Sequence, residues 1–229
     1  MSAATVSRNA SNAHLLRSLV GWWGLRDAAG TSRVDSTGNN AMAESDGAVG
    51  VGDGLGGGNA AQFTGSGGAY LKATGFSSAH LGGAFTIAQW IKPTLLNASM
   101  FWICRGTSGA TATVSLATTN ARIPGFTIGV NSVIGSALSL GEWCHLCGTY
   151  DGVSEMRFYI GGSFIGSKVD VSSGTSRAQL NIGATGQQSA VANGLIQGVG
   201  VWTRAMSNGE VLSLYNGGLA LDYPFNIAG

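Results

Sequence analysis

The chain has 229 residues, of which 38 are glycine and 3 proline, and only 10% are Asp, Glu, Lys or Arg, leaving a net charge of +1. Glycine is usually near 7% and charged residues near 25%, so the chain lacks the basic surface of a nucleic-acid binder. No Gly-X-Y period points to a collagen-like chain, and no apolar run reaches the 18 or more residues of a membrane helix.

Residues 1–13 are polar, and the apolar stretch from Leu15 to Leu25 is interrupted by Arg17. Neither the basic start nor the cleavage site of a signal peptide is present, so folding in a reducing cytoplasm is expected. Residues 1–18 form a candidate N-terminal arm, with Ser11 placed to cap a short helix from Asn12 to Ser18. The rest, 19–229, is expected to be one domain. Deleting the arm is expected to leave that domain folded and to weaken assembly.

From Leu19 onward the pattern is strand, turn, strand. Strands are predicted at Val20–Leu25, Ala60–Phe63, Tyr70–Ala73, Phe85–Lys92, Met100–Arg105 and Thr113–Ala117. Six more are predicted at Gly125–Val130, Glu142–Tyr150, Glu155–Ile160, Ser163–Asp170, Gln179–Ile182 and Gly194–Trp202. The glycine-dense segment 41–58 reads as one long exposed loop. It is no phosphate-binding loop, because no Gly-Lys-Ser/Thr follows.

The most informative stretch is 141–166. Trp143, Leu146 and Tyr150 stand where a sheet core needs bulk, Asp151-Gly152 reads as a tight turn, and Gly161-Gly162 supplies a two-residue reversal. Cys144 and Cys147 resemble half a zinc site, yet three positions apart in a strand they face opposite sides of the sheet. Together with Cys104 they read as buried thiols. His145, between them, reads as a partly buried histidine with no acid to orient it. One helix is expected after Arg204, where Ser207-Asn208-Gly209-Glu210 has the form of a capping box and Asn216-Gly217-Gly218 a stop.

Leu19-Val20-Gly21-Trp22-Trp23, Asp35-Ser36-Thr37-Gly38-Asn39-Asn40 and Phe85 to Pro93 occur in an order that resembles a known family. Gly148-Thr149-Tyr150-Asp151-Gly152, Asn193-Gly194-Leu195-Ile196 and Trp202 to Ser207 continue the likeness. The chain is similar to the laminin-G-like modules of the concanavalin A-like lectin/glucanase superfamily, in their bacterial and phage form. The resemblance implies an all-β jelly-roll sandwich of two antiparallel sheets, with one short C-terminal helix. Some relatives bind calcium, and Asp35 and Asn39 are the residues here that match. The carboxylates usual after Gly194-x-Ile196 are replaced by Gln197-Gly198, which removes hard oxygen ligands. Turn-forming hydrogen bonds explain Asp35 and Asn39 equally well.

Glycoside-cleaving relatives need two carboxylates across the scissile bond. The four glutamates are Glu44, Glu142, Glu155 and Glu210, and only Glu44 has a carboxylate two positions on, Asp46. The chain is therefore expected not to be an enzyme and to need no cofactor. Trp102, Arg105, Arg122 and Asn131 are the candidates for sugar contact, although the apolar run around Trp102 suits a core equally.

Two functions are in view. One is a virion structural protein, assembled in the host cytoplasm as a capsid decoration or a tail or fibre component. Its partners would be itself, for example as a trimer, and a capsid or tail protein. The alternative is a carbohydrate-binding, lectin-like adhesion module that takes surface glycans.

Overall fold

The computed structural model describes residues 12–65, 68–73, 75–95, 99–106, 113–172, 179–185 and 190–225. Among these, two antiparallel sheets stack face to face. In chain order the strands are β1 Leu19–Trp23, β2 Ala43–Ser45, β3 Gly50–Asp53, β4 Asn59–Thr64, β5 Tyr70–Ala73, β6 Phe85–Pro93, β7 Met100–Arg105 and β8 Val114–Thr118. They continue with β9 Pro124–Ile128, β10 Asn131–Ile134, β11 Cys144–Tyr150, β12 Met156–Ile160, β13 Ser163–Lys168, β14 Leu180–Ile182 and β15 Asn193–Trp202. One sheet runs β13-β12-β11-β6-β15-β4-β3 with β1 also on β15, and the other runs β10-β9-β8-β7-β14-β5-β2. This is the expected jelly-roll sandwich.

β15 organises the first sheet because it is long enough to take two neighbours on one side. Its first half pairs with β4 (Ile196 opposite Ala61) and its second with β1 (Trp202 opposite Leu19), while β6 lies along the other side. A bulge between Gln197 and Gly200 separates the halves and switches the pairing partner, a common use of such irregularities.

Alternation along the strands then makes two cores. The inter-sheet core takes Phe85, Ile87 and Ile91 of β6, Leu146 and Tyr150 of β11, and Val199 and Val201 of β15. Against them pack Trp102 and Ile103 of β7, Leu116 of β8 and Phe126 of β9. Gly148 faces Phe126 so closely that a β-carbon there would stand 2.5 Å from the ring, so the glycine is what lets Phe126 fill the space. A second core lies on the outer face of the first sheet. There Trp22, Ala88, Cys147, Tyr159 and Trp202 are covered by Val211 and Leu214 of helix α1, Asn208–Tyr215, and by Leu15 and Phe225.

Helix α1 has the expected capping box, with Ser207 and Glu210 exchanging hydrogen bonds, and it stops at Asn216 in the left-handed conformation (φ 51°). Burial alone would raise the Glu210 carboxyl, but hydrogen bonds from Arg204 and Ser207 overcome that and hold it at about 2. The thiols also divide as expected. Cys144 packs against the inter-sheet core and Cys147 belongs to the outer one.

Four expectations need correction. Segment 41–58 is not one loop but carries the edge strands β2 and β3. Its alternating side is glycine at positions 50, 52 and 54, so no apolar period was visible, yet Met42 and Val49 are fully buried. β10 is a further strand, following a turn at Gly129 (φ 58°) inside what reads as a single run. Asp151 does not open a two-residue turn. Its Oδ1 accepts from the backbone N–H groups of Val153, Ser154 and Glu155 at 2.8, 2.8 and 3.0 Å, which staples a longer loop. Gly161-Gly162, by contrast, is the two-residue reversal (φ 56° and 75°).

The fourth correction concerns Trp143. It lies ahead of β11, half-buried on the surface rather than between the sheets. The arm carries the expected short helix. A 3-10 helix spans Asn12–Leu16, Leu15 is fully buried, and its carbonyl accepts from the Trp202 indole at 2.6 Å. Arg204 donates to the carbonyls of Arg17 (3.0 Å) and His14 (3.2 Å). Leu15 and Leu16 thus belong to the outer core, and removing residues 12–18 would uncover Trp202. Residues 1–11 lie outside the described residues.

Candidate functional site

An aromatic cleft of about 370 Å³ opens beside the outer core. Its floor follows from strand register. On the outer face of the first sheet, Gln197 of β15, Trp90 of β6 and His145 of β11 stand in one row. Trp90 and His145 lie with ring centroids 5.1 Å apart, and Tyr215, the last residue of α1, stacks on Trp90 at 5.6 Å with 27° between planes. The walls are Glu142 and Trp143 before β11, Cys144, Gly161 of the β12–β13 turn, Gly218 and Leu55 at the tip of the β3–β4 hairpin.

Gln197 positions that hairpin. Its side chain is buried, and its Oε1 accepts from the Leu55 N–H at 2.8 Å, fixing Leu55 at the rim. From sequence it stood only for a lost carboxylate. The sequence reads Trp90 as part of a strand and Tyr215 as part of a helix's apolar stripe and places neither of them, nor Leu55, at a site, because each belongs to a different element and only the fold brings them together.

The chemistry of the cleft is hydrogen bonding and stacking. His145 is fully buried, and burial pushes its pKa down to about 3, so the ring is neutral. Its Nδ1 has no hydrogen-bond partner. Burial raises Cys144 to about 11 and raises Cys147 as well, so neither thiol supplies a thiolate at neutral pH. Among the described residues, Glu142 is the one carboxylate that lines the cleft.

The residues singled out from sequence lie elsewhere. Trp102 is fully buried between the sheets and donates from Nε1 to the Thr118 Oγ1 at 3.1 Å. Arg105 is buried at the end of β7, in a row that continues through Val114 and Ile128 to Asn131. Arg122 is exposed in the turn at the opposite end of β9. The four do not meet in one cleft, and the two buried ones cannot present a face to a ligand.

Asp35 is buried and saturated. Its Oδ1 accepts from the N–H groups of Trp22 and Thr37 at 2.9 Å each, and its Oδ2 from the Thr37 hydroxyl at 2.7 Å and the Asn40 N–H at 2.9 Å. Asn39 is exposed and donates to the Thr37 carbonyl at 3.3 Å. A cation at Asp35 would have to displace four donors, so the carboxylate serves as a turn staple. Among the described residues no cluster of three or more His, Cys, Asp or Glu is placed to hold a metal, and no helix is long and apolar enough to cross a membrane.

The family profile described as Concanavalin A-like lectin/glucanases superfamily matches residues 63–212. Among solved structures, domain 4 of a GH43 extracellular arabinanase from Geobacillus stearothermophilus, in complex with arabinotriose, is similar with a TM-score of 0.66 at 19% identity. That match covers 86% of this chain and 98% of that one. The receptor binding domain of botulinum neurotoxin mosaic serotype C/D matches with a TM-score of 0.68 at 16% identity, covering 91% of this chain and 52% of that one. Trypanosoma rangeli sialidase in complex with sialic acid matches with a TM-score of 0.67 at 15% identity, covering 86% and 32%. This chain therefore spans about half of the toxin domain and a third of the sialidase, and at such identities the likeness is one of fold. Among curated proteins, none matches the sequence.

Proposed function

Because this chain belongs to the concanavalin A-like lectin/glucanase superfamily, we propose that it is a non-catalytic binding module whose aromatic cleft takes a carbohydrate. The observation that carries this is the set of rings around one opening. Trp143 and Tyr215 are half-buried and show ring surface to solvent, while Trp90 backs Tyr215 from below. A concave apolar wall with a few convergent polar groups is the usual form of a small-ligand site. The arabinanase domain of the same fold was solved with an oligosaccharide, which supports a sugar as the ligand.

Absence of chemistry is part of the proposal. A glycosidase needs two carboxylates facing each other across the bond, and Glu142 is alone in the cleft. Glu44 is held 2.9 Å from Arg33, and Asp46 accepts from the Ser45 hydroxyl.

In isothermal titration against oligosaccharides, Trp143→Ala and Tyr215→Ala are each expected to weaken binding about 3- to 10-fold, the worth of one aromatic contact. Unchanged affinity in both variants, with melting temperatures preserved, would remove the cleft from the function.

A virion role is the second proposal, favoured by one side of the sandwich. The edge strands β10 and β13 lie against each other there and expose Val130, Ile134, Phe164 and Ile165, with Val130 at 96%. Unpaired, apolar sheet edges invite pairing with another chain, and the low charge of the chain offers little to prevent it. Self-association through this side, with docking on a capsid or tail protein, would make the chain a particle component assembled in the host cytoplasm. Light scattering at tens of micromolar is then expected to give an oligomeric mass that Ile165→Lys reduces to the monomer. A monomeric wild-type chain would end the proposal.

A further inference from the structure

We infer that the cleft selects uncharged glycans over acidic ones. The inference rests on the reading of the cleft as a carbohydrate site, and it follows from which charges and hydrogen-bonding atoms converge there. Trp90 Nε1 and Trp143 Nε1 are donors, the Tyr215 hydroxyl both donates and accepts, and the Glu142 carboxylate accepts. None of these makes a side-chain hydrogen bond within the protein among the described residues. A sugar hydroxyl is at once donor and acceptor, so it can satisfy either kind of group. Ring C–H faces can lie on Tyr215 and Trp143 while hydroxyls reach the N–H and carboxylate groups.

An acidic sugar meets a different balance. Recognition of a carboxylate or sulfate relies on charge-assisted bonds from Arg or Lys, and no lining residue is basic. Two cations lie nearby. Arg26 is committed to Asp222 at 3.0 Å and to the Gly57 carbonyl at 2.9 Å. Lys92 stands two positions beyond Trp90 on the same face of β6, outside the lining. The charge that a ligand meets in the cleft is therefore Glu142, which repels an anion. Desolvating an acidic group beside it without a cation is unfavourable.

The test is a set of matched pairs measured by titration calorimetry. N-acetyllactosamine is compared with its sialylated form, and a neutral xylo-oligosaccharide with an oligogalacturonate of equal length. The neutral member of a pair is expected to bind about 3- to 10-fold more tightly. Glu142→Gln is expected to shrink that ratio toward one, because it removes the repelling charge and keeps the shape. Lys92→Gln should leave the ratio standing. Tighter binding of the acidic members, especially if Lys92→Gln abolished it, would overturn the selectivity while leaving a glycan site in place. Binding of no glycan in the panel would sink the carbohydrate reading and the selectivity with it.

Discussion

Glu44→Ala is expected to destabilise the protein by about 3–5 kcal/mol, the cost of leaving one partner of a buried ion pair uncompensated. The Arg33 side chain is wholly inaccessible and Glu44 nearly so (13%), with Nη2 and Oε1 2.9 Å apart. The other Nη donors of Arg33 go to the carbonyls of Val49 at 2.8 Å, Asp27 at 3.1 Å and Ala28, while Nε has no partner among the described residues. These bonds satisfy the two Nη groups but do not neutralise the charge. Glu44 also accepts from the Gly30 N–H at 3.1 Å, so the pair ties the Ala28–Ser32 turn to strand β2. The pair is worth less than the cost of breaking it, so the double variant Arg33→Met, Glu44→Met should lose clearly less than the two single losses added together. Urea denaturation of the three variants measures this. A loss below about 1 kcal/mol for Glu44→Ala would show that water reaches Arg33 and that the pair is not buried in solution.

The second large effect is a fall in stability on acidification, with His145 as its main source. Burial holds the folded-state pKa at about 3, whereas the ring in the unfolded chain takes a proton near 6.5. Between those values the unfolded state binds more protons than the folded one. The group's contribution is therefore complete above about pH 6.5, declines as pH falls, and stops changing below about pH 3. The slope is about 1.4 kcal/mol per pH unit, or about 3 kcal/mol by pH 4.5. His80, lowered by burial and then by Arg105, acts in the same direction. Glu210, held near 2, and Asp151, lowered by backbone hydrogen bonds that outweigh its burial, add their losses only below the usual carboxylate range. Glu142 and Tyr215 line the cleft beside the ring, and Trp90 packs on it. His145→Gln should therefore flatten the melting-temperature profile between pH 6.5 and 4.5 and leave the steeper loss below it. An identical profile in the variant would mean that the ring is protonated in the folded state.

Much of the sandwich was legible in the sequence, and the misses have physical causes. The strands expected from Val20–Leu25 through Gly194–Trp202 all form, because β-prone runs bounded by glycine turns code for themselves locally. β2 and β10, three and four residues long, are too short to show a period, and β3 is hidden by its glycines. Where glycine fills one face of a strand, as in Gly50-Val51-Gly52-Asp53, periodicity has nothing to report. Trp143 was assigned to the inter-sheet core because its neighbours Leu146 and Tyr150 belong there, yet the strand begins one residue after it. The suggested sugar residues Trp102 and Arg105 turned out buried, since a strand that reads as apolar gives no sign of which end of the sandwich meets water.

By itself the sequence determined the strand succession, the Ser207–Glu210 helix start and the opposite facing of Cys144 and Cys147. Each of these follows from dihedral preference, capping or a two-residue period within a few positions of the chain. Only the tertiary structure decided the cleft. Gln197, Trp90 and His145 are distant in sequence and meet because the register of β6 against β11 and β15 sets them in one row, to which the β3–β4 hairpin brings Leu55 and α1 brings Tyr215. Register of that kind is fixed by the packing of whole sheets, which no local pattern contains.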